Sequence, residues 1–297
     1  MTNKNRPIKF LNKYTGQIEY ERVYGEKWLR WIYENPLGQL SLKILIKRKF
    51  FSRLYGWAMN LPNSRKKINQ FIKKYQVNEE EFLEPIANFK TFNQFFFRKL
   101  KPESRPISTS NWVYPADGRH LWIPKLSQVS RIFAKGQSFN LDLLLGDSLL
   151  AREYQNGSLL ISRLCPVDYH RFHFPSNGSV EEVLNLTGDL YSVSPIALRK
   201  KLSYFWQNQR VRIAYQSTLG PLVQILPIGA TCVGGIFFTY SHRNNLRKGD
   251  EIGYFAFGGS TVITVFPENN LKICSKLENA SERGYEFYAK MGDYLAK

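Results

Sequence analysis

The chain is poor in several residue types, and each shortage narrows what it can be. Its 297 residues include only three cysteines, Cys165, Cys232 and Cys274. They are widely spaced, odd in number and form no CxxC pair, which argues against a disulfide framework and against a zinc site. A reducing compartment fits best. Histidine is scarce at four residues, so imidazole chemistry must draw on few candidates. The longest mostly apolar stretch, Leu222 to Phe238, is punctuated by Pro227, Gly229, Gly234 and Gly235. It reads as buried strands with turns, not as a bilayer span. The opening residues, MTNKNRPIKF, are polar and basic, with no apolar core of a secretory signal. Any membrane contact is therefore expected to be peripheral.

Acidic residues are short as well. The net charge is +18, and residues 1–105 hold 22 Lys and Arg against nine Glu and no Asp. A surface this basic is drawn to polyanions, either nucleic acid or an anionic lipid surface. A solvated basic face would have the same composition. What the chain does have is apolar mass: 43% hydrophobic residues, with 15% aromatic, which excludes a disordered polymer and allows a substantial core.

Residues from about 26 to 100 carry a helical pattern in which Trp, Leu and Phe alternate with Lys and Arg. Leu40, Ile44, Phe51, Tyr55 and Ala58 fall near one face, interrupted by Lys47. Such a helix suits a membrane interface, with lysine stems reaching toward phosphates; its apolar residues would otherwise pack on the rest of the protein. A second helix is expected from Ser64 to Tyr75. A third is expected after Asn78, with Glu81 as its capping-box partner. The Pro/Ser segment KPESRPISTS, residues 101–110, marks the best boundary, dividing a basic helical region, 1–105, from 106–297. Beyond it LLISRLC, VRIAY, LVQILPI and STVITVF read as strands, with helical segments near Leu141–Leu145 and Pro195–Leu202. The expected fold class is α+β, an N-terminal helical region followed by a mainly β domain.

Chemistry concentrates in three segments. CPVDYHRFHFPSNG carries His170 and His173. In an extended chain, residues i and i+3 point to opposite faces, so a bend or bulge is needed to bring both to one site. Asp168, His170 and His173 form a weak metal-ligand set, and Arg171 between them could hold a carboxylate or phosphate. YPADG places Asp117 in a turn bounded by Pro and Gly. RKGDEIGYFAFGGSTVITVF sets Gly258, Gly259 and Ser260 before a β-branched run. A glycine pair there is often only a bulge. Yet Gly259 leaves its carbonyl unshielded beside the Ser260 hydroxyl, and Asp117 and His173 complete the parts of an Asp–His–Ser relay. Spacing alone leaves a serine hydrolase equally open, although the G-x-S-x-G elbow is missing. A basic nucleic-acid-binding module would leave these segments without a task.

Four motifs in this order, PADG (115–118), DYHRFHFPSNG (168–178), GATCVGGI (229–236) and KGDEIGYFAFGGSTVI (248–263), resemble the phosphatidylserine decarboxylase family. The likeness runs from about Phe82 to Pro267, and the helical region matches more loosely. One position departs from it: the family often has Leu where Gly258 stands, while the Gly259–Ser260 pair is unchanged. The extra glycine is expected to alter local flexibility and not chemistry.

The resemblance implies a proenzyme. Asp117, His173 and Ser260 would form the self-processing relay, in which Ser260 Oγ attacks the Gly259 carbonyl and turns the peptide bond into an ester. Elimination across Ser260 then frees the N-terminal fragment, and the dehydroalanine left behind hydrolyses to a pyruvoyl group. The products would be a β chain, residues 1–259, and an α chain, residues 260–297, cut from the C-terminal strand segment and held by strand pairing. The pyruvoyl group is the implied cofactor, with no metal and no pyridoxal phosphate. It forms a Schiff base with the substrate amine and serves as electron sink, and His170 would protonate the carbon that has lost CO₂. The implied substrate is phosphatidylserine, and the implied product is phosphatidylethanolamine. The implied partners are an anionic membrane surface, on the cytoplasmic side of the cell membrane, and a homodimer of the cut chains, with no nucleic acid. Trp28, Trp31, Phe50, Phe51 and Trp57 would dip below the head groups.

Overall fold

The computed structural model describes residues 7–126, 139–231, 235–241, 244–258, 260–268 and 271–297. Gly259, Cys232 and Gly234 lie outside the described residues. Fourteen described strands build the β structure. They are β1 Lys9–Asn12, β2 Ile18–Tyr20, β3 Trp112–Val113, β4 Gly118–Ile123, β5 Ser158–Leu164, β6 Arg171–His173 and β7 Gly178–Leu186. The rest are β8 Arg210–Ser217, β9 Leu222–Ile228, β10 Ile236–Phe238, β11 Glu251–Phe255, β12 Ser260–Phe266, β13 Glu286–Ala289 and β14 Tyr294–Ala296. Nine form one sheet in the order β2-β1-β13-β4-β5-β12-β9-β8-β7, while β10-β11-β6 and β14-β3 form smaller sheets.

The β-branched run STVITVF becomes β12, near the middle of the large sheet. It pairs antiparallel with β5, from Ser260 opposite Leu164 to Phe266 opposite Ser158, and with β9 on its other edge. All its residues are buried. Both faces are covered, so the strand reads as a continuous apolar run without polar alternation.

The N-terminal third is mixed. Five helices follow the short edge strands: α1 Glu26–Glu34, α2 Pro36–Ser41, α3 Lys49–Asn60, α4 Lys67–Tyr75 and α5 Phe92–Phe96. The helical expectation missed β1 and β2, which are short; they join the sheet edge, β1 running parallel to β13, with Phe10 buried and Ile18 and Tyr20 exposed. Asn35 ends α1 and caps α2, accepting from the Leu37 N–H at 2.9 Å, with Pro36 in the first helical position. A π-turn over Leu42–Ile46 and a break at Lys47–Arg48 then shift the helical phase. The single apolar face expected from the spacing is therefore split. Leu40 and Ile44 are exposed, whereas Phe51, Tyr55 and Ala58 pack half-buried against the interior. Lys47, which breaks the pattern, reaches Asp189 at 2.8 Å.

Asn78 does cap, but it caps only the 3₁₀ turn Glu79–Glu81. The Glu81 side chain is drawn away to Arg105 and Lys290, each at 2.9 Å, and no further helical turn forms before Pro85. A second core cluster of Ile68, Phe71, Phe92, Phe95 and Phe96 joins Tyr169 and Phe257. It fastens the helical region onto two of the motif segments.

Candidate active site

Ser260 opens β12 and is fully buried. Its hydroxyl lies 3.3 Å from His170 Nδ1. The other ring nitrogen, Nε2, is 2.9 Å from the Cys165 carbonyl oxygen. A carbonyl can only accept, so Nε2 carries the proton and the Nδ1 lone pair faces Ser260. Phe96 stacks on the ring at 3.9 Å between centroids. Burial, and then the nearby Arg98 charge, push the His170 pKa down to about 3, so the ring is neutral at ordinary pH. The approach to Ser260 needs a glycine: Gly258 has φ 141°, a conformation that residues with a Cβ rarely adopt.

His170 lies just outside β6, which begins at Arg171, and His173 ends that strand. The two rings thus separate. The His173 backbone N–H donates to the Pro115 carbonyl at 2.7 Å, and its ring stacks on Tyr169. His173 Nδ1 is buried without a partner among the described residues, and burial pushes its pKa down to about 4. Asp117, beside Pro115, is held by Arg105 Nε at 2.9 and 3.0 Å and by the Met291 N–H at 2.9 Å. No hydrogen bond joins His173 to Ser260 or Asp117 among the described residues. Asp168 faces Arg119 at 2.5 Å and accepts from the Cys165 N–H at 2.6 Å, so it fixes the turn whose carbonyl holds His170. Burial raises its pKa despite Arg119. Asp168, His170 and His173 do not gather as metal ligands; no such group of three is found among the described residues. Arg171 already has its anion, Glu251, at 2.6 Å.

A cavity of about 790 Å³ adjoins this site. Phe257, Gly258, Cys165 and Pro166 line it, as do Trp28, Leu29, Ile46 and Phe51 from the helical region. Along its wall Arg163 binds Glu21 and Glu286, both at 2.5 Å. Burial alone would raise the Glu21 pKa, but Arg163 and Arg119 bring it down to about 2. Sequence reasoning missed Arg105, Arg119, Arg163 and Glu21. Arg105 sits in a Pro/Ser linker and the others lie in β4, β5 and a loop, so no periodicity singles them out.

The model of the phosphatidylserine decarboxylase family matches residues 92–296. The chain belongs to that family. A phosphatidylserine decarboxylase proenzyme of Clostridium botulinum is 43% identical over 291 residues, spanning 97% of this chain and 98% of its own length. Those of Clostridium novyi and Fusobacterium nucleatum are 40% and 38% identical, again over at least 96% of each chain. The family match contains Asp117, His170, His173 and Ser260 but leaves α1 to α4 outside it; the full-length relatives extend across those helices too.

Proposed function

We propose that this chain is a precursor that cuts itself between Gly259 and Ser260, and that the product is a carboxy-lyase converting phosphatidylserine to phosphatidylethanolamine and CO₂. The observation that carries this reading is the buried Ser260 hydroxyl, aimed at a neutral imidazole at the head of a central strand. It occurs in a chain whose relatives are named proenzymes. A reactive carbonyl made from Ser260 suits the surroundings. The adjoining cavity has no lysine among its described lining residues, so an incoming amine meets no competing one. That carbonyl would supply the sink for the electrons left when CO₂ departs.

The chain's own residues divide the remaining work. His173 has an unspent buried nitrogen, and an orphaned group of this kind is a candidate for proton transfer. It serves the cut, with Asp117 two residues beyond its backbone partner Pro115. His170 anchors the Ser260 hydroxyl in the precursor. Later it is the residue beside position 260 that would relay a proton to the substrate carbon: Nδ1, bare at rest, first takes a proton from water, and the dry, stacked pocket makes that proton easily given up. After the cut, residues 260–297 stay attached. β12 lies between β5 and β9, β13 between β1 and β4, and β14 on β3, with Glu286 held by Arg163 and Lys290 by Glu81.

The basic helical region, 1–105, is the membrane-associating part, and 106–297 carries the chemistry. Support comes from Trp28, Trp31, Leu40, Ile44, Phe50 and Trp57, all exposed on α1 to α3 and surrounded by Lys and Arg. Phe51, expected among them, instead lines the cavity, where it would meet the lipid's acyl chains. No described helix is long and apolar enough to cross a membrane, so the association would be peripheral, at the cytoplasmic face.

Intact mass spectrometry tests the central reading. Wild type should yield residues 1–259 and a pyruvoyl-capped 260–297, and Ser260→Ala should stay whole. A wild-type chain that remains uncut, with an ordinary serine at 260, sinks it. Phe50→Asp with Trp57→Asp should weaken binding to anionic vesicles by about 10-fold or more, since each buried ring contributes roughly 1.5–3 kcal/mol. Unchanged binding would place the anchor elsewhere.

A further inference from the structure

Seven arginines are buried among the described residues: 98, 105, 119, 163, 171, 210 and 212. Five of them hold carboxylates: Arg105, Arg119, Arg163, Arg171 and Arg212. Arg210 has no acid but is satisfied by main-chain carbonyls of Leu144, Trp206 and Asn208 at 2.8–3.0 Å. Arg98 has neither. Its residue is 5% exposed, its Nε has no partner, and its one hydrogen bond runs from Nη1 to the Phe95 carbonyl at 3.4 Å. The guanidinium lies over the Phe82 and Phe95 rings, at 4.8 and 5.0 Å.

A buried cation without an anion is costly, and such a group is retained where something pairs with it. The position of Arg98 indicates what that is. It follows α5 by two residues, and Phe96 of that helix stacks on His170. The main-chain carbonyls of Phe97 and Arg98 accept from Arg171 Nε, at 3.0 and 3.4 Å, which ties the segment to the strand after His170. Burial pulls the Arg98 pKa to about 10 against the longer-range pull of the Asp117, Asp168 and Glu81 carboxylates, none of which pairs with it; the group stays charged at neutral pH, and its charge opposes protonation of His170. The one free buried cation among the described residues therefore stands on the His170 side of Ser260.

We propose that the Arg98 guanidinium receives the carboxylate of the serine head group and so distinguishes substrate from decarboxylated product. This rests on the reading of Ser260 given above. When the substrate amine is joined at position 260, its carboxylate lies two bonds from the nitrogen and must fall close to that position. The phosphate and acyl chains leave in the other direction, along the cavity toward α1 and α3. The guanidinium fork matches a carboxylate in shape and charge. It has already lost its water, so pairing carries little further desolvation on the protein side. Once CO₂ has left, the ethanolamine head group offers Arg98 nothing, which favours product release. The pairing is formed on binding, so its loss should appear in capture of the lipid more than in the step that follows.

The test compares phosphatidylserine and phosphatidylethanolamine in mixed detergent micelles, using wild type, Arg98→Gln and Arg98→Lys. Sodium cyanoborohydride traps lipid on the chain that begins at residue 260, and intact mass gives the trapped fraction at each lipid concentration. In Arg98→Gln the concentration for half-maximal capture of the serine lipid should rise at least about 10-fold, the usual loss for a hydrogen-bonded charge pair. Capture of the ethanolamine lipid should stay within about twofold. Arg98→Lys, which keeps the charge without the fork, should fall between. Parallel shifts for both lipids, or no shift, overturn the assignment. So does a chain left uncut in both variants, because the guanidinium would then serve the cut. A wild-type chain that is uncut and traps neither lipid refutes the reading of Ser260 itself.

Discussion

Acid should destabilise this protein as the pH falls through 6.5, because three imidazoles are buried in neutral form. Burial lowers the pKa of His120 and His170 to about 3 and that of His173 to about 4. In the unfolded chain each returns to about 6.5. The folded pKa is depressed, so below pH 6.5 the unfolded state binds more protons than the folded one, and stability falls with pH until the folded values are reached. At pH 5 each imidazole removes about 2 kcal/mol, and the three together about 6, a large share of the roughly 5–15 kcal/mol that holds a typical domain. For a chain of this length that corresponds to a Tm drop of roughly 10–15 °C between pH 7.5 and 5. The carboxylates do not obscure this window. Glu21 and Glu81 have lowered values and lose their stabilisation only at lower pH, whereas Asp168, whose pKa burial raises, works in the opposite direction. The assay is calorimetric melting of the Ser260→Ala precursor, which avoids separation of cut chains. His120 lies away from Ser260, bonded to Ser162 Oγ at 2.9 Å, and His120→Asn should flatten the slope by about one third. A Tm that is level from pH 7.5 to 5, or a slope untouched by His120→Asn, would refute the linkage.

Other consequences are narrower. Arg105→Met leaves the Asp117 carboxylate with the Met291 N–H as its one hydrogen-bond donor among the described residues; urea unfolding should register a loss of about 3–5 kcal/mol. His173→Ala should stay full length on a denaturing gel, while His170→Ala should still be cut and should fail to release CO₂ from labelled phosphatidylserine; the reverse pattern would exchange their roles. Gly258→Ala should still be cut, but its precursor should lose about 1–3 kcal/mol from the strained φ, measured on the Ser260→Ala background. Leu29→Trp, which narrows the cavity beside α1, should raise KM for long-chain phosphatidylserine by about 10-fold while sparing short-chain substrate; equal effects on both would exclude the cavity as the acyl site.

Much of this protein was legible in its residue order. The β-branched run after Ser260 specifies a buried strand by composition alone, and the four motifs identify the family because their chemistry depends on local residue pairs such as Gly259–Ser260. Capping at Asn78 was legible too, but not its extent: Glu81 could turn back to a helix or out to Arg105 and Lys290, and only the folded chain brings those two cations within reach. The same holds at the site. Sequence places His170 and His173 three residues apart and cannot tell which meets Ser260, since that depends on β6 beginning at Arg171 and on the Cys165 carbonyl that fixes one ring. Local rules govern where a strand or turn forms. Which buried charges are neutralised, and that Arg98 is left without a paired anion among the described residues, is decided by contacts between residues far apart in the chain, and only tertiary packing sets those.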